Sequence, residues 1–301
     1  MPLKKILVPL DGSKFADRIL GQVRRILLRE DAEVRLLRVL PAPLTYEASL
    51  TSQRKMVDEA QGHIEAHCKA LSDEGARVSF ATVSSADPAD KILEYAVKYR
   101  PSLIAMSTHG RTGLRRWTRG SVAERVLRRS PFPLLLWNPF RSRTGKQATP
   151  RFAKILVPLD GSEQSAGILP LVTELARLYE SRVLLFYVAE IYPVAGDFPV
   201  VQLPMPPKDV ARLLEPYRKR LKGISVRTST MIGTPALSIL DVAKKEGADL
   251  IAMTTHGRSG LSRWAFGSVA EQVLRHCPYP LLVQRTTGLA EGLHAKTMVA
   301  R

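Results

Sequence analysis

The chain is written twice. Lys5-Ile6-Leu7-Val8-Pro9-Leu10-Asp11-Gly12-Ser13 returns as Lys154-Ile155-Leu156-Val157-Pro158-Leu159-Asp160-Gly161-Ser162. Thr108 to Leu136 returns as Thr255 to Val283, with 20 of 29 positions identical. A repeat this long means two units of one fold, and 301 residues give each unit enough chain to bury its own core. Residues 1–140 and 151–286 are expected to be the two domains. The polar, turn-rich stretch 141–150 is the expected linker, and 287–301 a polar tail.

Within each unit the pattern alternates between strand and helix. The run ending at Asp11 or Asp160 is continuously apolar and closed by Asp-Gly-Ser, the mark of a buried parallel strand followed by a turn and a helix start. Helices are expected over Lys14 to Arg29 and Glu163 to Glu180, then second strands over Glu33 to Leu40 and Arg182 to Ala189. Proline-bearing segments follow, and then helices near Thr51 to Glu74 and Lys208 to Lys222. Third strands are Arg77 to Val83 and Ser225 to Met231. Asp87-Pro88 and Thr234-Pro235 each place an N-cap residue before a proline at the first helical position. Fourth strands end at Ser107 and Thr254, and fifth strands follow Pro131-Phe132-Pro133 and Pro278-Tyr279-Pro280. The fold class is therefore α/β: two tandem open five-stranded parallel sheets with helices on both faces. The prolines suit strands at a sheet edge. Because an exposed Leu134 to Trp137 edge would invite aggregation, the fifth strands are expected to pair across the two units, an intrachain pseudo-dimer that further homodimerisation could extend.

The repeated stretch after the fourth strand carries the chemistry. Thr108-His109-Gly110-Arg111-Thr112-Gly113-Leu114 runs on to Gly120-Ser121-Val122-Ala123-Glu124; its second copy runs from Thr255 through Gly257, Arg258 and Gly260 to Gly267-Ser268-Val269-Ala270-Glu271. Ser-x-x-Glu reads as a capping box, a structural role that accounts for Ser121, Ser268 and the glutamates. It leaves the glycines unexplained. Glycine lets backbone approach a ligand closely, and the N–H groups of a helix's first turn then meet an anion with a favourable dipole. Arg111 and Arg258 add charge-assisted donors. Strand, glycine-bearing loop and helix start together point to phosphate.

These residues resemble the universal stress protein family, over nearly the whole chain and as a tandem pair. The resemblance implies a sheet of order 3-2-1-4-5 in each half and a bound adenine nucleotide, ATP or AMP, with Mg2+ as a companion of ATP. The family's phosphate motif is Gly, two residues, Gly, nine residues, Gly, then Ser or Thr, and its latter part is matched by Gly110 to Ser121 and by Gly257 to Ser268. Contacts to the nucleotide are implied for Pro9, Asp11, Val39, Met106, Ser107, Ser121 and Val122 in the first half, and for Pro158, Asp160, Val188, Met253, Thr254, Ser268 and Val269 in the second. Ser107 and Thr254 stand where the motif has its first glycine. If that position needs a left-handed backbone, a side chain there costs about 1–2 kcal/mol, roughly ten-fold in affinity. The β-branched Thr254 is the worse fit. Arg115, Arg119, Arg125 and Arg129 lack counterparts in the second half, so the first half is expected to bind more tightly.

Other chemistries find less support. The net charge of +17 is spread over helical stretches, without a helix-turn-helix, zinc-finger or RNA-binding signature, and reads as a solvated basic surface rather than a nucleic-acid site. No apolar run is long enough for a signal sequence or a membrane span, and two cysteines in different halves make no disulfide framework, so the chain is expected to be cytoplasmic. His63 and His67 lie four apart with Cys68 beside them, but no third ligand follows from sequence, and a surface helix is the better reading. Walker-type and nucleophile-elbow motifs are absent. No catalytic residues are assigned, and Asp11 or Asp160 would support at most slow ATP hydrolysis. The expected role is that of a nucleotide sensor or regulatory module in a stress response; the alternatives are a nucleotide-free scaffold or a slow ATPase.

Overall fold

A computed structural model describes residues 3–29, 31–42, 50–108, 121–140, 151–189, 207–255 and 267–285. The first half runs β1 (Lys5–Leu10), α1 (Lys14–Asp17), α2 (Leu20–Leu27), β2 (Glu33–Pro41), α3 (Leu50–Asp73), β3 (Arg77–Ser85), α4 (Pro88–Tyr99), β4 (Leu103–Ser107), α5 (Val122–Arg129) and β5 (Leu134–Trp137). The second half repeats the order as β6 (Lys154–Pro158), α6 (Glu163–Ala166), α7 (Leu169–Tyr179), β7 (Arg182–Ala189), α8 (Pro207–Arg220), β8 (Ser225–Ile232), α9 (Pro235–Glu246), β9 (Leu250–Thr254), α10 (Ser268–His276) and β10 (Leu281–Gln284).

Ten strands form one sheet of order β3-β2-β1-β4-β5-β10-β9-β6-β7-β8. Each half keeps the 3-2-1-4-5 order and is parallel throughout. The halves join through β5 and β10, which pair antiparallel. Edge strands of their own halves, these two thus become the middle of the whole sheet, and the prolines before them stand at strand starts where no ladder donor is needed. Because the pairing is antiparallel, the carboxyl ends of the first-half strands point opposite to those of the second half.

Both faces of the sheet are covered by apolar clusters that span the two halves. One holds Ile19, Val23 and Ile26 of the α1–α2 region with Ile64 of α3, and Val172 and Leu214 from their counterparts α7 and α8. The other holds Ile92 of α4 and Val126 of α5 with Val242 of α9 and Val273 of α10. Equivalent helices therefore share a face, as a two-fold axis perpendicular to the sheet requires.

The seam is also closed by a buried cation. Arg25 of α2 donates to Gln22 Oε1 at 2.8 Å and to the Arg151 carbonyl at 2.9 Å, and its guanidinium lies 4.0 Å from the centre of the Phe152 ring. Tyr179 of α7 donates its hydroxyl to the Arg25 carbonyl at 3.0 Å. Burial pushes the Arg25 pKa down, offset in part by the Asp249 carboxylate. Stacking on an aromatic face and a planar set of donors are what suit arginine, rather than lysine, to such a place.

Each expected first helix is two helices. After α1, Ile19 and Gly21 donate to carbonyls three residues back, Ala16 at 3.1 Å and Arg18 at 3.2 Å, a tighter turn that sends Ile19 wholly into the core. In the second half Pro170 has no N–H to offer the Ala166 carbonyl, and the break falls there. Asp87 caps α4, accepting from Ala89 and Asp90 N–H, whereas Thr234 heads α9 with no side-chain cap.

Candidate nucleotide crevice

The order 3-2-1-4-5 reverses direction at β1, so β1 and β4 are neighbours whose following loops leave toward different sides. The β1–β2 ladder runs the full length of β1. The β1–β4 ladder comprises only Ile6↔Leu103 and Leu7↔Ile104, although β4 continues to Ser107. Pro9 has no N–H to extend it. The carboxyl ends of the two strands thus share no ladder pair, and the candidate crevice is the place between them, where ligands of such sheets bind. In the second half β6 and β9 pair only at Ile155↔Leu250 and Leu156↔Ile251, with Pro158 in the matching place. The two crevices lie at opposite ends of the sheet.

One wall of each crevice is an aspartate turn. Asp11 Oδ1 accepts from Ser13 N–H at 2.9 Å and from Ser13 Oγ at 2.6 Å, and Ser13 Oγ in turn accepts from Ala16 N–H as the cap of α1. Asp160, Ser162 and Ser165 repeat the pattern at 2.9, 2.6 and 3.1 Å. The turn needs a left-handed residue between the two side chains, supplied by Gly12 at φ +80° and Gly161 at φ +85°. One carboxylate oxygen is committed to the turn, which fixes where the other points.

The opposite wall is the end of β4 or β9. Met106, Ser107, Met253 and Thr254 are buried strand residues. Among the described residues, Arg100 and Glu180 are the non-glycine positions with positive φ. Ser107 and Thr254 therefore carry no left-handed strain, and the expected penalty at these positions has no conformational basis. Val39, Val122, Val188 and Val269 are part-buried and pack against the same apolar cluster as the two methionines.

Ser121 is the N-cap of α5, its Oγ accepting from Glu124 N–H at 3.2 Å. The second copy differs from the expected capping box. Gly267 is the N-cap of α10 and Ser268 is already helical, with no side-chain cap. Gly267 N–H is drawn to the Thr255 carbonyl at 3.0 Å, which starts the helix one residue earlier relative to the repeat. Gly110, Arg111, Gly113 and Gly120, and Gly257, Arg258 and Gly260, lie outside the described residues, as do His109 and His256.

Charge at the first-half crevice departs from expectation in two ways. Arg125 pairs with Asp87 and, at 3.6 Å, with Asp90; Arg129 pairs with Asp90; Arg128 bonds Glu124 at 2.9 Å. These arginines secure α5 to α4 and to itself. The Arg125 guanidinium, by its hydrogen bond, holds the Asp87 carboxyl below the usual range. Conversely, Arg38 went unread in the sequence. It is 4% exposed, donates to the Leu10 carbonyl at 3.4 Å, and places Nη2 2.6 Å from where a Gly12 Cβ would stand. A cation is thus fixed under the aspartate turn. Its signal was present as an arginine at an inward position of Glu33–Pro41, in phase with Val34 and Leu36. The matching strand residue in the second half is Tyr187, an uncharged side chain.

Comparison with known proteins gives one family. The profile of the Universal stress protein family matches residues 2–137 and again 151–285. A universal stress protein of Methanocaldococcus jannaschii is 30% identical over 139 residues, 44% of this chain and 81% of its own length. One from Synechocystis is 31% identical over 134 residues, 44% of this chain and 85% of its own. Among solved structures, a universal stress protein from Archaeoglobus fulgidus superposes with a TM-score of 0.70 at 20% identity, covering 95% of this chain and 98% of that one. With the family profile matched over both halves, the chain belongs to the universal stress protein family.

Proposed function

We propose that this protein binds an adenine nucleotide, ATP or AMP, in the β1–β4 crevice and its β6–β9 counterpart, and that occupancy makes it a regulatory module in a stress response. The observation that carries the reading is the early end of the β1–β4 ladder, which stops at Leu7↔Ile104, beside the Asp11 turn and the Ser121-capped start of α5. A ligand between them meets apolar side chains at Val39 and Met106, a hydrogen-bonding carboxylate at Asp11, and helix N–H groups for its phosphates. Family membership supports the same reading. Arg38 beneath the turn gives the first crevice a fixed positive charge that Tyr187 does not give the second, so the first is the tighter site.

Two measurements test this. Calorimetric titration with ATP and with AMP should show binding by the parent, and the Arg111→Ala, Gly120→Asp double variant should lose most of it. Binding unchanged in that variant would show the site to be misplaced. Mass spectrometry of the supernatant from heat-denatured protein should find co-purified adenine nucleotide. A time course of ADP release then distinguishes a sensor, which leaves ATP intact, from a slow hydrolase.

A further inference from the structure

Outside the crevice, three side chains of ligating chemistry meet at the junction of α1 and α3. His63 Nε2 lies 3.1 Å and His67 Nε2 3.3 Å from the same oxygen, Oδ2 of Asp17. The three ligand atoms all lie within 4.8 Å of one another, and the imidazoles meet edge to face with centroids 4.7 Å apart. Helical spacing brings the histidines to one face of α3, and the short α1 brings the carboxylate from 46 residues away.

The architecture does not need this cluster. The second half lets the comparison be made at matched positions, since Ala60, Ile64 and Leu71 of α3 are buried as are Val210, Leu214 and Leu221 in and after α8, each 150 residues on. In that register His63 corresponds to Leu213 and His67 to Tyr217, while Asp17 of α1 corresponds to Ala166 of α6. Leu213 packs on the core, Tyr217 donates to the Gly161 carbonyl at 2.7 Å, and Ala166 is buried. An apolar packing with one satisfied hydroxyl thus does in one copy what a carboxylate and two imidazoles do in the other. The polar version is also incompletely satisfied: Asp17 Oδ1 and His63 Nδ1 are buried without a hydrogen-bond partner. Such groups cost free energy unless something compensates them.

We propose that Asp17, His63 and His67 form a binding site for a divalent transition metal ion of the zinc class, with water completing its coordination. Metal–ligand bonds of about 2.0–2.2 Å at angles between a right angle and the tetrahedral one separate ligand atoms by about 2.9–3.5 Å. The separations of 3.1 and 3.3 Å fall in that interval. Two imidazoles and one carboxylate select zinc, cobalt, nickel or ferrous iron over magnesium and calcium, which prefer all-oxygen sets. The side chains remain 28%, 27% and 18% exposed for His63, His67 and Asp17, so water reaches the open positions. Bound metal would tie α3 to α1, whose Ser13 cap holds the Asp11 turn. The site shares no residue with the crevice, and metal binding stands or falls without nucleotide.

The test uses untagged full-length protein stripped by a chelator. Zinc is titrated in competition with a chromophoric chelator, and cobalt by its visible absorption. The parent should bind one equivalent, with a cobalt spectrum of nitrogen and oxygen ligation. His67→Gln and Asp17→Asn should each weaken zinc by about 10-fold or more, the scale at which even outer-shell changes are felt. The triple variant Asp17→Ala, His63→Leu, His67→Tyr, carrying the second half's residues, should lose the cobalt signal; the conservative single variants decide the matter should it fail to fold. Zinc binding by the parent no tighter than by His67→Gln and Asp17→Asn overturns the proposal. So does an equal loss in Cys68→Ser, which would mean a thiolate site.

Discussion

Leu135 and Leu282 face each other at the centre of the β5–β10 ladder, and the register about them is self-complementary: Leu134 opposes Val283 and Leu136 opposes Leu281. The pair marks the pseudo-two-fold axis of the chain. Both residues are 2% exposed, and they belong to the apolar cluster that runs under both halves. Leu135→Ala and Leu282→Ala should each destabilise the protein by about 2–5 kcal/mol in urea unfolding, as truncations of buried leucine do. Being in contact, they should not add, and the double-mutant cycle should return a coupling of at least about 0.5 kcal/mol. Strict additivity would mean that the two halves unfold independently of this seam.

Glycines at two places should respond oppositely to alanine. At Gly12 the backbone is left-handed and an added Cβ would meet the Arg38 guanidinium, so Gly12→Ala should cost about 1–3 kcal/mol. At Gly62, inside α3, nothing lies within 4 Å of the added carbon. Gly62→Ala should therefore stabilise by about 0.5–1 kcal/mol through helix propensity. Thermal melts of the two variants would settle both signs.

The Arg125–Asp87 contact predicts a pH signature. Asp87 has its folded pKa lowered, first by the Arg125 hydrogen bond and further by the Asp90 and Ala89 N–H groups of the cap. A depressed carboxylate stabilises the fold above its unfolded value of about 3.9, and that contribution disappears as pH falls through the lower folded value. Arg125→Gln, which places the second half's residue there, should cost about 0.2–1 kcal/mol at neutral pH because both groups are part-exposed. Once the pH has fallen below the depressed folded value, parent and variant should converge. A difference that persists in acid would assign the effect to packing.

Thiol reactivity should separate the cysteines. Cys277 is buried against the Tyr279 carbonyl and its thiol is pushed up to about 12 by desolvation, whereas Cys68 is part-exposed with a pKa raised by its own burial. The thiolate is the reactive form, and less than about one in 10⁴ of Cys277 is thiolate at neutral pH. A thiol-specific reagent should modify one cysteine in the folded protein and both in denaturant. Prompt double labelling under native conditions would contradict the burial of Cys277.

What the sequence determined by itself was everything carried by period and repetition. The continuous apolar runs before Asp11 and Asp160 are strands buried on both faces, Asp87-Pro88 starts a capped helix, and the liability of an edge at Leu134 to Trp137 pointed to its partner in β10. These follow from rules that act within a few residues, and the duplication applied each of them twice. Even so, local rules overran at Arg18–Ile19, where the core drew the chain into a tighter turn, and at Ser268, where a single hydrogen bond moved the helix start.

Only the tertiary structure decided which side chains meet. Arg38 reaches Gly12, Arg125 turns to Asp87 rather than to a crevice, and Asp17 arrives beneath His63 and His67, all across tens of residues of chain. The backbone at Ser107 and Thr254 likewise belongs to the sheet, which holds both out of the left-handed region. Periodicity encodes the face on which a side chain lies. Its partner on that face is set by how neighbouring elements pack, and packing is a property of the whole chain.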